Sequence, residues 1–378
     1  MARCLALLGM VATHVLVERD PDGSLSLGQA LAGGRASALF AVLAGLSIAL
    51  VAGRDRPFTG VARARASVGL VVRAVLVAAI GLLLGAVDSG IAVILAYYGV
   101  LFVLALPFVG LSARVLGVLA GGWLVVAPVV SQVVRPSLPE RQFASPTFDQ
   151  LAADPGGLLA ELTFTGYYPA VPWLAYVLAG MAVGRLDLTT RRTAGLLAAG
   201  GAVAAVVATA VSRALTARPS VQEALLTDPP VPDADAAALL DRISSGLFGT
   251  TPTDGAWQWL FVVAPHTATP FDLLQTIGSA LLVIGLALLV LDVVGPTGRR
   301  AAAVFFGAGA MTLTLYSVHV VARSQELLPD ALRDSYLFHV TLLLGIGAVF
   351  AATHTRGPLE ALVGAVSRGV AGRPRVEP

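Results

Sequence analysis

A 378-residue chain that is 56% hydrophobic and only 13% charged falls well short of the roughly 25% charged content of water-soluble domains, so composition places it in a membrane. Its formal charge of +2, with no dense basic cluster, excludes a nucleic-acid partner. Every cationic side chain other than histidine is arginine, which excludes a lysine nucleophile. The single Cys4 excludes an intrachain disulfide, and no HExxH or CxxC spacing points to a metal.

Apolar runs near the roughly 20 residues that cross a bilayer fall at 3–18, 31–52, 67–87, 90–110, 115–134, 166–184, 194–213, 270–294, 301–321 and 335–354. The first resembles a signal peptide, since Arg3 precedes it. It lacks an A-x-A cleavage site and carries His14 within the run, so it reads as a retained helix. The expected fold is all-α: a polytopic integral membrane helical bundle of about ten transmembrane helices, forming one domain over 1–378. Lipid bilayer is then its obligatory surrounding.

With the N-terminus inside, cytoplasmic segments collect Arg54, Arg56, Arg63, Arg65, Arg114, Arg185, Arg191, Arg192, Arg299, Arg300, Arg356, Arg368, Arg373 and Arg375. The opposite side collects acids: Glu18, Asp20, Asp22, Asp88, Glu140, Asp149, Asp154, Glu223, Asp228, Asp233, Asp235, Asp241 and Asp254. That bias sets both termini in the cytoplasm of a protein in the plasma (inner) membrane, with a cytoplasmic tail at 355–378. Two long extracytoplasmic loops are expected at about 135–165 and 214–269; loops of that length are commonly functional. The second holds a Pro-rich piece from Asp228 to Asp233, a short amphipathic helix near 234–247, and the run from Trp257 to Phe261. That run is too short to span, and either lies in the interface or re-enters the membrane.

Ionisable groups inside spans are costly and draw functional attention. His14 lies toward the outer end of the first helix, with Glu18 at i+4. Arg35 opens the second after Gly33 and Gly34. His266 immediately precedes the eighth, whose first turn holds Asp272. His319 lies near the outer end of the ninth, one turn after Tyr316, and Tyr167, Tyr168 and Trp173 line the start of the sixth. Plainer roles exist for several. Glu18 and Arg35 can snorkel to the headgroups, Asp272 can cap its helix, and the Tyr and Trp residues suit an aromatic belt. Arg73, one turn into the third helix, can snorkel inward. His339 and His354 read as structural. An imidazole beside a carboxylate can serve as general base toward a hydroxyl or amine, which His14 with Glu18 or Asp272 would provide if the first and eighth helices pack together. The small residues Gly307 to Ala310 allow close helix approach without naming the neighbour.

Several segments carry a resemblance. Ala2 to Met10 followed by His14 resembles the "ARGLALLGM…H" opening of bacterial relatives of heparan-alpha-glucosaminide N-acetyltransferase, and Gly34 to Leu50 is similar to their second helix. Gly166 to Leu174, Gly184 to Asp187, and Pro265 to Ser279 resemble the same group. Met311 to Tyr316 and Gly357 to Glu360 resemble the related YeiB-like DUF418 family. The resemblance implies a transmembrane acyltransferase that moves an acyl group, acetyl above all, from cytosolic acyl-CoA to an extracytoplasmic sugar. At one place the chain departs from it. The human-type enzyme has a lumenal histidine just before its second helix. Ser24 to Gln29 contain none, while His14 stands where that enzyme has Asn.

The expected function is therefore acyl transfer from the co-substrate acyl-CoA to a small-molecule or glycan acceptor bearing a hydroxyl or amine. His14 would be the base, oriented by Asp272 or Glu18. Arg35, His266, His319 and Tyr316 would hold the acceptor or the developing oxyanion. The resemblance implies that Arg54, Arg56, Arg191, Arg192, Arg299 and Arg300 hold CoA phosphates; as plain topology determinants they would occupy the same places. The rival expectation is a proton-coupled small-molecule transporter built on the same residues. It calls for inverted repeats and polar groups at the midplane, whereas no repeat is seen and the polar groups favour one face.

Overall fold

The computed structural model describes residues 1–232 and 235–372, and among these the secondary structure is helical, with no named strand. Asp233 of the outer acids, and Arg373 and Arg375 of the tail, lie outside the described residues. Ten apolar helices coincide with the expected runs: α1 (Ala2–Val15), α2 (Arg35–Val51), α3 (Gly60–Gly85), α4 (Leu95–Leu104), α5 (Ala113–Val134), α6 (Ala170–Gly184), α7 (Arg191–Thr216), α8 (Pro270–Val293), α9 (Thr312–Ala322) and α10 (Tyr336–Ala352). Five stretches, built on α2, α3, α5, α7 and α8, reach 24 to 26 residues and can cross a membrane by length and composition alone. The other five are 10 to 17 residues long. The chain is thus a helical membrane bundle in which half of the expected spans are short helices continued by other structure.

Three expectations change. The second run is split: a helix Leu27–Ala32 ends at Gly33, and α2 starts at Arg35. Gly34 makes the break at φ +67°, a left-handed conformation that glycine tolerates, and a Cβ there would press on Pro265. The ninth run, 301–321, is broken too. A helix Gly295–Phe305 gives way to a 3-10 turn, Gly307–Ala310, before α9. The small residues let this break lie directly against Gly347 of α10 and Cys4 of α1. Finally, the tail is no bare extension: Pro358–Ala371 forms a helix, α11, that packs on α3.

Small residues also decide the centre of the bundle. Gly45 of α2 faces the Val177 carbonyl of α6, and Gly180 of α6 faces the Val42 carbonyl of α2, so a methyl on either would overlap backbone. The two helices therefore approach to backbone contact, as small-residue interfaces in membranes do. α7 packs chiefly on α8, and α1 packs on α2, α9 and α10.

The two long loops, about 135–165 and 214–269, fold onto each other. Arg135, 2% exposed, donates from Nη2 to Gln132 Oε1 at 2.7 Å and Thr251 Oγ1 at 2.8 Å, and from Nη1 to the Thr251 carbonyl. A small separate core of Val221, Leu225, Leu239, Ile243, Trp259 and Val262 holds the second loop together. Within it the expected amphipathic helix is Ala236–Ile243, and Trp257–Phe261 forms a 3-10 turn with Trp259 and Leu260 buried. Arg19 bridges to Asp241 at 3.0 Å, tying this cap to the segment after α1.

Candidate active site

Under the cap lies a cavity of about 750 Å³, walled by the C-terminal end of α1, the Gly33–Gly34 break, residues 85–92 at and after the end of α3, and both long loops. His14, Glu18, Gln29, Asp88, Arg141 and His266 bring its polar groups, and Phe143, Tyr167, Tyr168 and Phe248 its aromatic faces.

His14 sits on the last turn of α1. Its Nδ1 is 3.1 Å from Nε2 of His319 on α9, with the rings 7° from coplanar. His319, 1% exposed, in turn places Nδ1 3.2 Å from Nδ1 of His339 on α10. His339 ends the row with Nε2 2.8 Å from the Arg333 carbonyl. Nε2 of His14 is left without a protein partner among the described residues, and His14 lines the cavity.

His266 enters from a strained turn. It and Ala268 have φ of +60° and +52°, a region costly for side chains larger than glycine. The turn is clamped from α8: Asp272 Oδ2 accepts from the Ala268 N–H at 3.0 Å, and Thr269 Oγ1 accepts from the Asp272 N–H at 3.1 Å. This is close to a reciprocal capping box. The His266 ring meets Tyr167 at 4.7 Å and Tyr168 at 5.6 Å between centroids, and its Nδ1 is buried without a partner among the described residues.

The residues singled out from sequence separate into groups. His14, Glu18, His266, Tyr167 and Tyr168 share the cavity wall. Asp272 stands behind His266 as the cap of α8. Arg35 donates to the Ala30 carbonyl at 2.6 Å, and Tyr316 takes the Ile94 N–H at 3.3 Å through its hydroxyl. His319 lies behind His14 instead of facing the cavity. The partner the structure gives His14 is therefore His319, in place of Glu18 or Asp272. Away from the cavity, Arg54, Arg56, Arg191, Arg192, Arg299 and Arg300 are all exposed; Arg191 and Arg299 meet at Asp292.

Sequence reasoning passed over Arg141. Its guanidinium lies over Phe143 at 4.8 Å, Phe248 at 4.9 Å and Tyr167 at 5.7 Å, and donates to the Phe248 carbonyl, so it clasps the two long loops at the cavity. The signal was available: Arg135 and Arg141 are cations on a side otherwise rich in acids. Glu161 was also missed. It is 3% exposed, and accepts from Gln150 Nε2 at 2.8 Å and the Tyr97 hydroxyl at 3.3 Å. Burial pushes its carboxyl above the ordinary glutamate range, against those hydrogen bonds and Arg141.

Among curated proteins none matches the chain. The pattern of the family described as "Heparan-alpha-glucosaminide N-acetyltransferase, catalytic" matches residues 1–216, a stretch that carries His14, Glu18, Arg141 and Tyr167 and stops short of His266, His319 and His339. Matched over 216 of its 378 residues, the chain belongs to the heparan-alpha-glucosaminide N-acetyltransferase catalytic family, and its kind of function is that of a transmembrane acetyltransferase.

Proposed function

We propose that the protein transfers an acetyl group from acetyl-CoA on the cytoplasmic side to a sugar hydroxyl or amine held in the outer cavity, with His14 as general base. The observation that carries this reading is the His14 ring on the cavity wall, with Nδ1 engaged by His319 and Nε2 without a partner among the described residues. The acceptor O–H or N–H gives its proton to Nε2 as its oxygen or nitrogen bonds to the acyl carbon. The C–S bond breaks, and the proton passes to the departing sulfur.

The cavity suits a sugar. Aromatic faces of Tyr167, Phe143 and Phe248 offer flat apolar surface, while Gln29, Glu18 and Asp88 offer groups for hydroxyls. His266, whose ring lines the cavity beside Tyr167 and Tyr168, would contact the acceptor through its exposed edge. The six exposed arginines suit the phosphates of CoA on the opposite face, and the acid-rich outer loops support a topology with both termini in the cytoplasm of the plasma membrane.

The test uses protein in nanodiscs, acetyl-CoA and a panel of amino sugars and neutral sugars, with free CoA followed by a thiol reagent. Cys4 is the lone cysteine and is buried, so background is low. Acceptor-dependent CoA release that falls about 10²-fold or more in His14→Ala supports the reading. Wild-type rates in that variant, or no acetyl-CoA binding by folded wild type, would overturn it; sugar uptake into vesicles would then be measured for the transporter alternative.

A further inference from the structure

We infer that His319 and His339 are positioning residues that lock His14 in the tautomer whose Nε2 lone pair faces the cavity. This rests on the acetyl-transfer reading of His14, and it follows from the polarity of the row of rings. A backbone carbonyl only accepts, so Nε2 of His339 must donate to the Arg333 oxygen. Neutral His339 then has only an acceptor at Nδ1, and the bond at 3.2 Å obliges His319 to donate from its own Nδ1. Nε2 of His319 is left as an acceptor, so His14 donates from Nδ1 across the 3.1 Å contact. The remaining nitrogen of His14 carries a lone pair. The Arg333 carbonyl, in the short helix Asp330–Arg333 before α10, thus fixes three tautomers in sequence.

This matters because a free neutral imidazole in water prefers its proton on Nε2. An unguided His14 would present an N–H to the acceptor and could not take its proton. The second nitrogen of a histidine sets the role of the first. Here a neutral histidine does what a carboxylate does in other sites, without placing a negative charge among buried rings. The end of the row is itself braced: Arg323 donates to the same Arg333 carbonyl at 3.0 Å and pairs with Asp334. His319 is enclosed between α1 and α10 and does not line the cavity, so its part is played through His14.

The test has two arms. Nitrogen-15 NMR of histidine-labelled wild type in nanodiscs resolves five histidines, assigned by single variants. At neutral pH His14 and His319 are expected as Nδ1–H tautomers and His339 as the Nε2–H tautomer. His14 observed with its proton on Nε2 overturns the inference while leaving the acetyl-transfer reading intact. The kinetic arm compares His319→Gln with His319→Leu. A glutamine amide accepts from His14 and donates to His339, so kcat stays within about 5-fold of wild type. Leucine removes both bonds, and kcat falls about 10²-fold with the acceptor KM unchanged. Equal losses in the two variants, or a change confined to KM, would count against tautomer locking. Should His14→Ala retain full transfer, the reading of His14 as base fails instead.

Discussion

Asp272 admits two readings that a pair of substitutions separates. As a catalytic carboxylate it would matter through its charge; as the clamp of the His266 turn it matters through one acceptor oxygen. The structure favours the clamp. His266 and Ala268 both hold left-handed φ, costing about 1–2 kcal/mol each, so the turn carries roughly 2–4 kcal/mol of strain. A hydrogen bond to a carboxylate contributes about 1.5–3 kcal/mol, which is the size of that strain. Asp272→Ala removes it, and the 265–268 segment relaxes away from Gly34, carrying His266 off the cavity wall. A displacement of 1 Å at a reacting group can cost about 10²-fold. Asp272→Ala is therefore expected to lower kcat/KM for the acceptor about 10- to 100-fold, whereas Asp272→Asn keeps an oxygen for the Ala268 N–H and stays within about 5-fold. Acceptor-dependent CoA release reads both. Adding His266→Ala to Asp272→Ala should then lose little more, since residues acting through one another are not additive. If Asn proves as harmful as Ala, or the two losses multiply, the clamp argument is wrong.

Three further outcomes follow from contacts outside the spans. Arg141→Gln removes three cation–π contacts, to Phe143, Tyr167 and Phe248, worth about 0.5–1 kcal/mol each, so the acceptor KM should rise about 10- to 150-fold with kcat little changed, as read by initial rates. Arg135→Met leaves Thr251 and Gln132 without their shared donor and should cost about 2–4 kcal/mol, seen as a lower Tm in detergent with acetyl-CoA binding retained. Glu161 gives a pH dependence. Its carboxyl titrates above the ordinary value in the fold, so between the unfolded and folded pKa values the native state binds more protons than the unfolded chain. Stability is thus full below the unfolded pKa and declines as pH rises through the folded one. Tm measured from pH 4 to pH 8 should fall over that window in wild type and stay flat in Glu161→Gln.

Hydropathy read the helices because apolar runs of bilayer length favour helix, and it located their ends well enough to bring His14, Glu18, His266 and Tyr167 to one wall. It could not find the partner of His14. Periodicity reports which face a residue occupies, whereas the neighbour depends on which helices meet. α1 meets α9 and α10 more closely than α8, so a histidine replaced the expected carboxylate, and His339, read as structural, became the end of the row. The break at Gly307–Ala310 escaped for a related reason: alanine and glycine keep mean hydropathy high whether the backbone continues as an α-helix or turns. Arg141 was legible only as an exception, a cation on the acidic side, and its value lies in contacts with three aromatic rings far apart in sequence.

The site crosses the boundary of the family match, and this explains why the C-terminal motifs look as they do. Residues 1–216 supply His14 and much of the cavity, but the rings that orient His14 come from α9 and α10. α9 is short and begins at an interior break, so something must fix its height. Glu360 at the start of α11 does so: its carboxylate accepts from the Leu313 N–H at 2.7 Å, the Thr314 N–H at 3.2 Å and the Thr314 hydroxyl at 2.6 Å. Thr314 Oγ1 accepts in return from the Leu359 N–H at 3.1 Å. The segments Met311 to Tyr316 and Gly357 to Glu360 are thus one unit, an acid seated on a helix N-terminus where orphan N–H groups favour it. His319 lies five residues past Thr314, on the same rigid helix. A slip of α9 by one residue would move it about 1.5 Å along the axis and turn it about 100°, enough to break its contacts with both His14 and His339. The tail helix, by holding the start of α9, thereby fixes the height of the His319 ring against which His14 rests.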